Sequence, residues 1–253
     1  MHSIDLNCDL GELEGAEGLA VDTRILPLVT SVNVACGFHA GSPLRIREIA
    51  VLAKAHNVAI GAHPGYADRA GFGRRPMVMP LDELREMVLY QIGICGAIVQ
   101  SEGGRLCHVK PHGALYNLAA IDRDVARTIA QAVADWDRSC ILMGLAGSCL
   151  IQAGQKLGLQ TASEIFADRT YYADGTLVSR ERPDALLHDE DEIASRLVRM
   201  ILDERVTAID GCEIPIQPET VCIHGDNPSA PDIAARIRTV CSAAGIQIKS
   251  LVR

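Results

Sequence analysis

Several common signatures are missing from this chain, and each absence removes a class of function. The opening residues Met1-His2-Ser3-Ile4-Asp5 carry neither the basic stretch nor the apolar run of an export signal. The longest nearly apolar run, Cys140 to Ile151, contains glycines and is too short to span a bilayer. There is no CxxC pair, so the nine cysteines point to neither a zinc ribbon nor dithiol chemistry. Without an export signal they read as reduced thiols in a cytoplasmic protein. Cys95, Cys107, Cys140, Cys149 and Cys222 lie in apolar segments, where cysteine behaves as a small hydrophobe. A basic excess is missing too: the net charge is −8, which argues against a nucleic-acid partner. A small anion held by local arginines stays compatible with it. GxxxxGK[ST], a GxGxxG after the first strand, and HExxH are all absent. So are linkers, low-complexity tracts and internal repeats, and residues 1–253 read as one domain.

What is present is an alternation of short β-like segments with helical ones. The strand candidates are Ile4–Cys8, Val32–Ala35, Val58–Ala62, Leu106–Lys110, Cys140–Leu145, Leu159–Glu164 and Thr220–His224. Between them, Leu84, Val88, Ile92, Cys95 and Val99 recur at helical spacing and predict one buried stripe. Ser42-Pro43 has the form of a cap followed by a first-turn proline. Asp189 with Glu192 resembles a capping box, and a helix is expected between Ser229 and Gly245. Seven β→α repeats predict an α/β fold, a closed or nearly closed barrel, with an open doubly wound sheet as the alternative. Two stretches break the alternation. Gly11 to Gly18 reads as an acidic, glycine-rich loop, and Phe166 to His188 as a long connection with a turn at Asp174-Gly175.

Polar residues gather at the carboxyl ends of the expected strands, the edge where barrel enzymes collect catalytic groups. They are Asn7 and Asp9, Asn33 and His39, His63, Lys110 and His112, Glu164 with Asp168 and Arg169, and His224 with Asp226. Period-two alternation places Asp5, Asn7 and Asp9 on one strand face, and His108, Lys110 and His112 on another. An inward charge costs several kcal/mol unless it is paired or metal-bound, so several of them predict a site. Taken singly, each has a plainer reading as a turn residue, a cap or a satisfied loop histidine, and His108 reads as structural. Lys110-Pro111-His112-Gly113 sets an ammonium and an imidazole around a rigid turn. Gly61-Ala62-His63-Pro64-Gly65 permits close backbone approach at His63. Gly71-Phe72-Gly73-Arg74-Arg75 ends in two guanidinium groups, suited to an anion or to an exposed basic turn.

Six ordered motifs make the chain resemble the LamB/YcsF family over nearly its whole length. They are Asp5-Leu6-Asn7-Cys8-Asp9-Leu10-Gly11-Glu12, the stretch from Asn33 to Gly41, Gly61 to Tyr66, Val109 to Asn117, Glu164 to Tyr171, and Ile223-His224-Gly225-Asp226. The resemblance implies an irregular seven-stranded β/α barrel of the glycoside hydrolase/deacetylase type. It implies ATP-dependent conversion of 5-oxo-L-proline and water to L-glutamate, ADP and phosphate. ATP, with magnesium, would be co-substrate, and 5-oxoprolinase subunits B and C would be partners; a homo-oligomer stays open. On this reading Lys110 with Arg74 or Arg169 neutralises charge on a carboxylate or phosphoryl group. Asp9, His112 or Glu164 serves as general base, and His224 and Asp226 protonate the departing nitrogen. Asn7, Asn33, Tyr116 and Asp168 complete the substrate site. Related barrels hold a divalent metal through one Asp and two His, which here would be Asp9, His39 and His63. Two other readings compete: a stand-alone metal-dependent amidase or deacetylase without ATP, and a non-catalytic, substrate-capturing subunit.

Overall fold

Residues 2–223 and 229–252 are described by the structure, a computed structural model. Six strands lead: β1 (Ser3–Leu10), β2 (Ser31–Ala35), β3 (Ala59–His63), β4 (Leu106–Val109), β5 (Ile141–Leu145) and β6 (Thr161–Phe166). A small antiparallel hairpin follows, β7 (Arg205–Thr207) and β8 (Glu213–Pro215), then β9 (Thr220–Ile223) and β10 (Gln247–Ile248). The helices are α1 (Gly15–Ile25), α2 (Pro43–His56), α3 (Leu81–Ser101), α4 (Gly113–Ile121), α5 (Arg123–Trp136), α6 (Cys149–Lys156), α7 (Glu190–Leu202) and α8 (Ala230–Ala243).

The strands β1 to β6 pair in order and in parallel, and β9 pairs with both β6 and β1. The register Asp5↔Thr220 on one side of β1 and Asn7↔Ser31 on the other closes a seven-stranded barrel. Closure excludes the open-sheet alternative. β10 pairs only with the start of β1, at Ser3↔Gln247.

Local chemistry explains the helices that position the rim. Ser42 accepts a hydrogen bond from Arg45 N at 3.2 Å, and Pro43 supplies the fixed φ of the first turn of α2. Asp189 caps α7 through Glu192 N at 2.8 Å. The α3 stripe of Leu84, Val88, Ile92, Cys95 and Val99 is buried, each large aliphatic contributing about 1.5–3 kcal/mol. The outward face of β1 (Ile4, Leu6, Cys8, Leu10) joins the same core under the helices. Inside the barrel, Ile141, Met143 and Ala162 form a second small apolar cluster, packed by Leu251 and Val252.

Three segments depart from the sequence reading. The acidic stretch expected to be a loop is helical from Gly15 onward. The hairpin β7–β8 was not anticipated, because its three-residue strands are too short to show alternation. The 166–188 connection folds upon itself through isolated bridges Arg169↔Leu186 and Tyr171↔Leu177. Its turn is where the sequence places it: Thr176 N donates to Asp174 Oδ1 at 2.9 Å, and Gly175 has φ 84°. Among the described residues no helix is long and apolar enough to cross a membrane.

Candidate active site

The barrel interior is polar, and its lower levels are closed by hydrogen bonds. Asp5 accepts from Thr30, Ser31 and Thr220 at 2.8, 2.7 and 2.6 Å. Burial raises its pKa, and those three hydroxyls work against the rise. One level up, Asn7 Nδ2 donates to Glu164 Oε1 and Thr220, while Asn7 Oδ1 accepts from Asn33 Nδ2 and Lys110 Nζ. Asn33 also donates to Asp9 Oδ1 at 2.8 Å and meets His108 Nε2 at 2.8 Å. Both asparagines, expected at the substrate, therefore spend their side chains on the protein. His108 is a buried interior histidine bonded to Asn33. It lies across Gly61, where an added Cβ would stand 2.1 Å from the imidazole. Burial first, then the Lys110 charge, push His108 down to about 3.

Lys110, just past β4, crosses the barrel with 2% exposure. Its Nζ lies 2.8 Å from Asp9 Oδ1, 2.9 Å from Glu164 Oε1 and 3.1 Å from Cys222 Sγ. Burial alone would favour the neutral amine; Asp9, Cys222 and Glu164 more than offset it and raise the pKa well above the ordinary value. The ammonium is a fixed internal charge engaged by protein groups, rather than an open anion hook.

At the rim, four buried side chains converge. Glu12, His39, His63 and His112 offer ligand atoms that all lie within 4.8 Å of one another. Glu12 Oε1 is 3.2 Å from His112 Nδ1, 3.4 Å from His39 Nε2 and 3.8 Å from His63 Nε2, with no hydrogen bond of proper geometry to any. Burial would raise the Glu12 carboxyl, but the His112 and His39 imidazoles beside it hold it well below the usual carboxylate range. His39 is lowered to about 4, by burial first and then by His112 and His63, and it stacks on His112 at 3.8 Å. Gly65 and Gly73 permit this packing, since a Cβ at either would fall 2.7–2.8 Å from His39.

The outer ring nitrogens settle what the inner ones can do. His63 Nδ1 lies 2.7 Å from Lys110 O, and His112 Nε2 lies 2.8 Å from Phe72 O. A carbonyl oxygen only accepts, so both outer nitrogens carry the proton. In the neutral rings His63 Nε2 and His112 Nδ1 then present lone pairs to each other at 3.0 Å. That approach is repulsive unless a cation, metal or proton, sits between them. Tetrahedral zinc with bonds near 2.0–2.1 Å would space its ligands by about 3.3 Å; four of the contacts here run from 3.0 to 3.8 Å, with all four ligand atoms within 4.8 Å of one another. Backbone carbonyls orienting the outer nitrogens are the usual support for metal-binding histidines. The buried Glu/His cluster is thus able to chelate a divalent metal.

The remaining expected site residues divide. Asp9, expected as the metal carboxylate, is engaged by Lys110 and flanks the cluster, with Oδ2 3.4 Å from His63 Nε2; Glu12 takes the central place. Glu164 and Tyr116 stand on the far side of Lys110, Tyr116 edge-on to Phe166 at 5.9 Å. Arg169, expected at a substrate anion, is buried in its own connection, donating to Val178 O and Ala185 O. Burial lowers it to about 10. Asp168 lies beside it, its charge acting on Arg169 and Arg196. Arg74 covers the Phe72 ring at 4.7 Å. His224 and Asp226 lie outside the described residues. Sequence reasoning passed over Glu12, seen only as one acid of a loop, and Cys222, read as a hydrophobe. The cue to Glu12 was its position three residues beyond the inward-facing Asp9.

A closed parallel β/α barrel with its polar groups at the carboxyl rim defines the class. The catalytic domain of a peptidoglycan N-acetylglucosamine deacetylase from Eubacterium rectale shares this fold, with TM-score 0.53 at 10% identity, covering 98% of this chain and 88% of that one. Within that class the chain belongs to the LamB/YcsF family, whose model matches residues 4–253. It is 52% identical over 251 residues to a Geobacillus thermodenitrificans protein named as the A subunit of 5-oxoprolinase, covering 99% of this chain and 98% of that one. The crystal structure of a lactam utilization protein from Thermus thermophilus superposes with TM-score 0.91 at 45% identity, covering 98% and 100% of the two chains.

Proposed function

We propose that this chain is the A subunit of an ATP-dependent 5-oxoprolinase. It acts as one domain with subunits B and C in the cytoplasm, and opens 5-oxo-L-proline with water to L-glutamate as ATP becomes ADP and phosphate. Near-full-length similarity to proteins so named supports the substrate. The observation that carries a catalytic role is the buried rim, where Glu12 and three imidazoles adjoin the Asp9–Lys110–Glu164 bridge. A lactam is a poor electrophile, and phosphorylation of its oxygen would make the carbon attackable and supply a leaving group. A divalent cation held by Glu12, His39, His63 and His112 would contribute Lewis acidity to a carbonyl or to water. Asp9, between Lys110 and His63, would take a proton from water at Oδ2.

The test is glutamate and ADP formation from 5-oxo-L-proline by the chain alone and with subunits B and C. Turnover only in the full mixture, and only with ATP, is the expected result. The metal-suited cluster also favours a second reading, a metal-dependent amidase. Hydrolysis by the isolated chain without ATP, abolished by chelator, would establish that reading and overturn the first.

A further inference from the structure

Two of the buried polar atoms outside the cation cluster lie together. Tyr116 Oη and Glu164 Oε2 are without a hydrogen-bond partner, in side chains that are 5% and 0% exposed. Leaving such atoms unpaired is costly, so a complementary pair of them marks a place that a ligand completes. The two are close neighbours: Glu164 acts on the Tyr116 hydroxyl through its charge and through a contact that lacks the geometry of a hydrogen bond.

Their chemical characters are fixed by what surrounds them. The other oxygen of Glu164 forms the ion pair with Lys110 Nζ at 2.9 Å and accepts from Asn7 Nδ2 at 3.0 Å, which leaves Oε2 as the carboxylate oxygen engaged by neither. Oε2 can only accept. Tyr116, in the first turn of α4, is fixed by its edge-on contact with Phe166 on β6. Burial, then Glu164, push its pKa well up, so the hydroxyl stays protonated and able to donate. One wall of the site therefore offers one acceptor and one donor side by side.

We propose that Tyr116 and Glu164 together read the edge of a cis secondary amide: Glu164 Oε2 accepts the ring N–H, and Tyr116 Oη donates to the carbonyl oxygen. The inference rests on the lactam reading above and adds how the lactam is told from other amides. In a five-membered ring the amide is forced cis, so N–H and C=O point to the same side. An open-chain secondary amide is trans, with the cis form scarcely populated. It shows the two groups on opposite edges and cannot satisfy both residues. Ring opening destroys the recognised edge, so the same pair that selects the substrate would release the product.

The assembled complex without ATP, titrated calorimetrically, tests this. The probes are 5-oxo-L-proline, its N-methyl derivative and N-acetylglycine, a trans amide that also bears a carboxylate. Wild type should bind the N-methyl lactam at least about tenfold more weakly, and N-acetylglycine more weakly still. Tyr116→Phe should weaken 5-oxo-L-proline about tenfold while keeping the N-methyl penalty. In Glu164→Gln the amide oxygen will turn to Lys110 and leave Nε2 facing the lactam N–H, donor to donor, so the N-methyl penalty should vanish or reverse. Equal wild-type affinity for the lactam and its N-methyl derivative would overturn the proposal. So would variants that weaken every probe by one factor, the mark of a merely structural role; Tyr116→Phe, which leaves the Lys110 bridge intact, secures this if Glu164→Gln does not fold. Turnover of 5-oxo-L-proline with no such discrimination would discard the amide reader and leave the oxoprolinase standing. Neither binding nor turnover would remove both.

Discussion

Replacing Lys110 by Met removes an ammonium from between two carboxylates while keeping most of its volume, so the effect is electrostatic rather than a cavity. Nζ lies 2.8 Å from Asp9 and 2.9 Å from Glu164 at 2% exposure. Breaking a buried pair from one side costs about 3–5 kcal/mol, a large share of the about 5–15 kcal/mol that holds an ordinary domain. The dependence on pH distinguishes this cause from poor packing. In the wild type the Lys110 pKa is raised, so its contribution is fully present below the ordinary lysine value near 10.4 and is lost only as pH rises through the folded one. Between about pH 5 and 8 that contribution is constant. In the variant that contribution is absent at every pH, so the deficit shrinks as pH rises above the ordinary lysine value, where the wild type begins to lose what the variant never had. Urea denaturation of both proteins at several pH values measures it. A deficit below about 1 kcal/mol at pH 8, or one that does not change with pH, would refute the electrostatic account.

Three further outcomes are expected. Protein purified without a His tag should bind close to one equivalent of zinc, and zinc at a hundred times its Kd should add about 2.7 kcal/mol of stability, a gain absent from His63→Ala; less than about a tenth of an equivalent would reject the cation site. Gly61→Ala puts a Cβ 2.1 Å from the His108 ring and displaces its bond to Asn33, for a combined cost of about 2–6 kcal/mol. His108→Ala in the same chain restores the space, so strictly additive costs in thermal unfolding would show that the two residues do not share it. His108 is lowered to about 3, so between pH 6.5 and 3 the unfolded chain carries a proton that the folded one lacks, and stability falls with pH by up to about 1.4 kcal/mol per unit. His108→Gln should flatten that acid slope by about one proton; an unchanged slope would assign it elsewhere.

Much of this was legible because barrel strands obey period two. Asp5, Asn7 and Asp9 could be placed inside from their spacing alone, and Ser42-Pro43 and Asp189 begin helices where their chemistry says they should. What spacing could not give is how interior groups pair across the barrel. Asn7 and Asn33 look like substrate ligands in one dimension; only the register of β1 with β2 and β9, and the side chains that reach them from β4 and β6, show their valences already filled. Cys222 lies in an apolar run, and parity alone turns its sulfur toward Lys110. Arg169 looks available until its connection folds back and supplies carbonyls to hold it. Glu12 was hidden by its company, among the acids of a stretch that elsewhere is a solvated helix.

The way polar groups are satisfied along the barrel axis locates the site better than which groups are present. At the level of Asp5 both carboxylate oxygens are met by hydroxyls, and at the level of Asn7 both asparagine side chains are engaged through oxygen and nitrogen alike. Those layers fix the barrel and hold nothing open for a ligand. Above them, Glu12 and His39 on one side of Lys110, and Glu164 and Tyr116 on the other, retain buried atoms without hydrogen-bond partners. The first group calls for a cation, the second for a molecule with a donor and an acceptor on one edge. Lys110 joins them through Asp9 and Glu164, so a charge developed in one half is felt in the other across two ion-pair contacts. A polar core of this kind costs stability relative to an apolar barrel, and it is retained because the same ammonium that permits both carboxylates to be buried also couples the two places where chemistry has to meet.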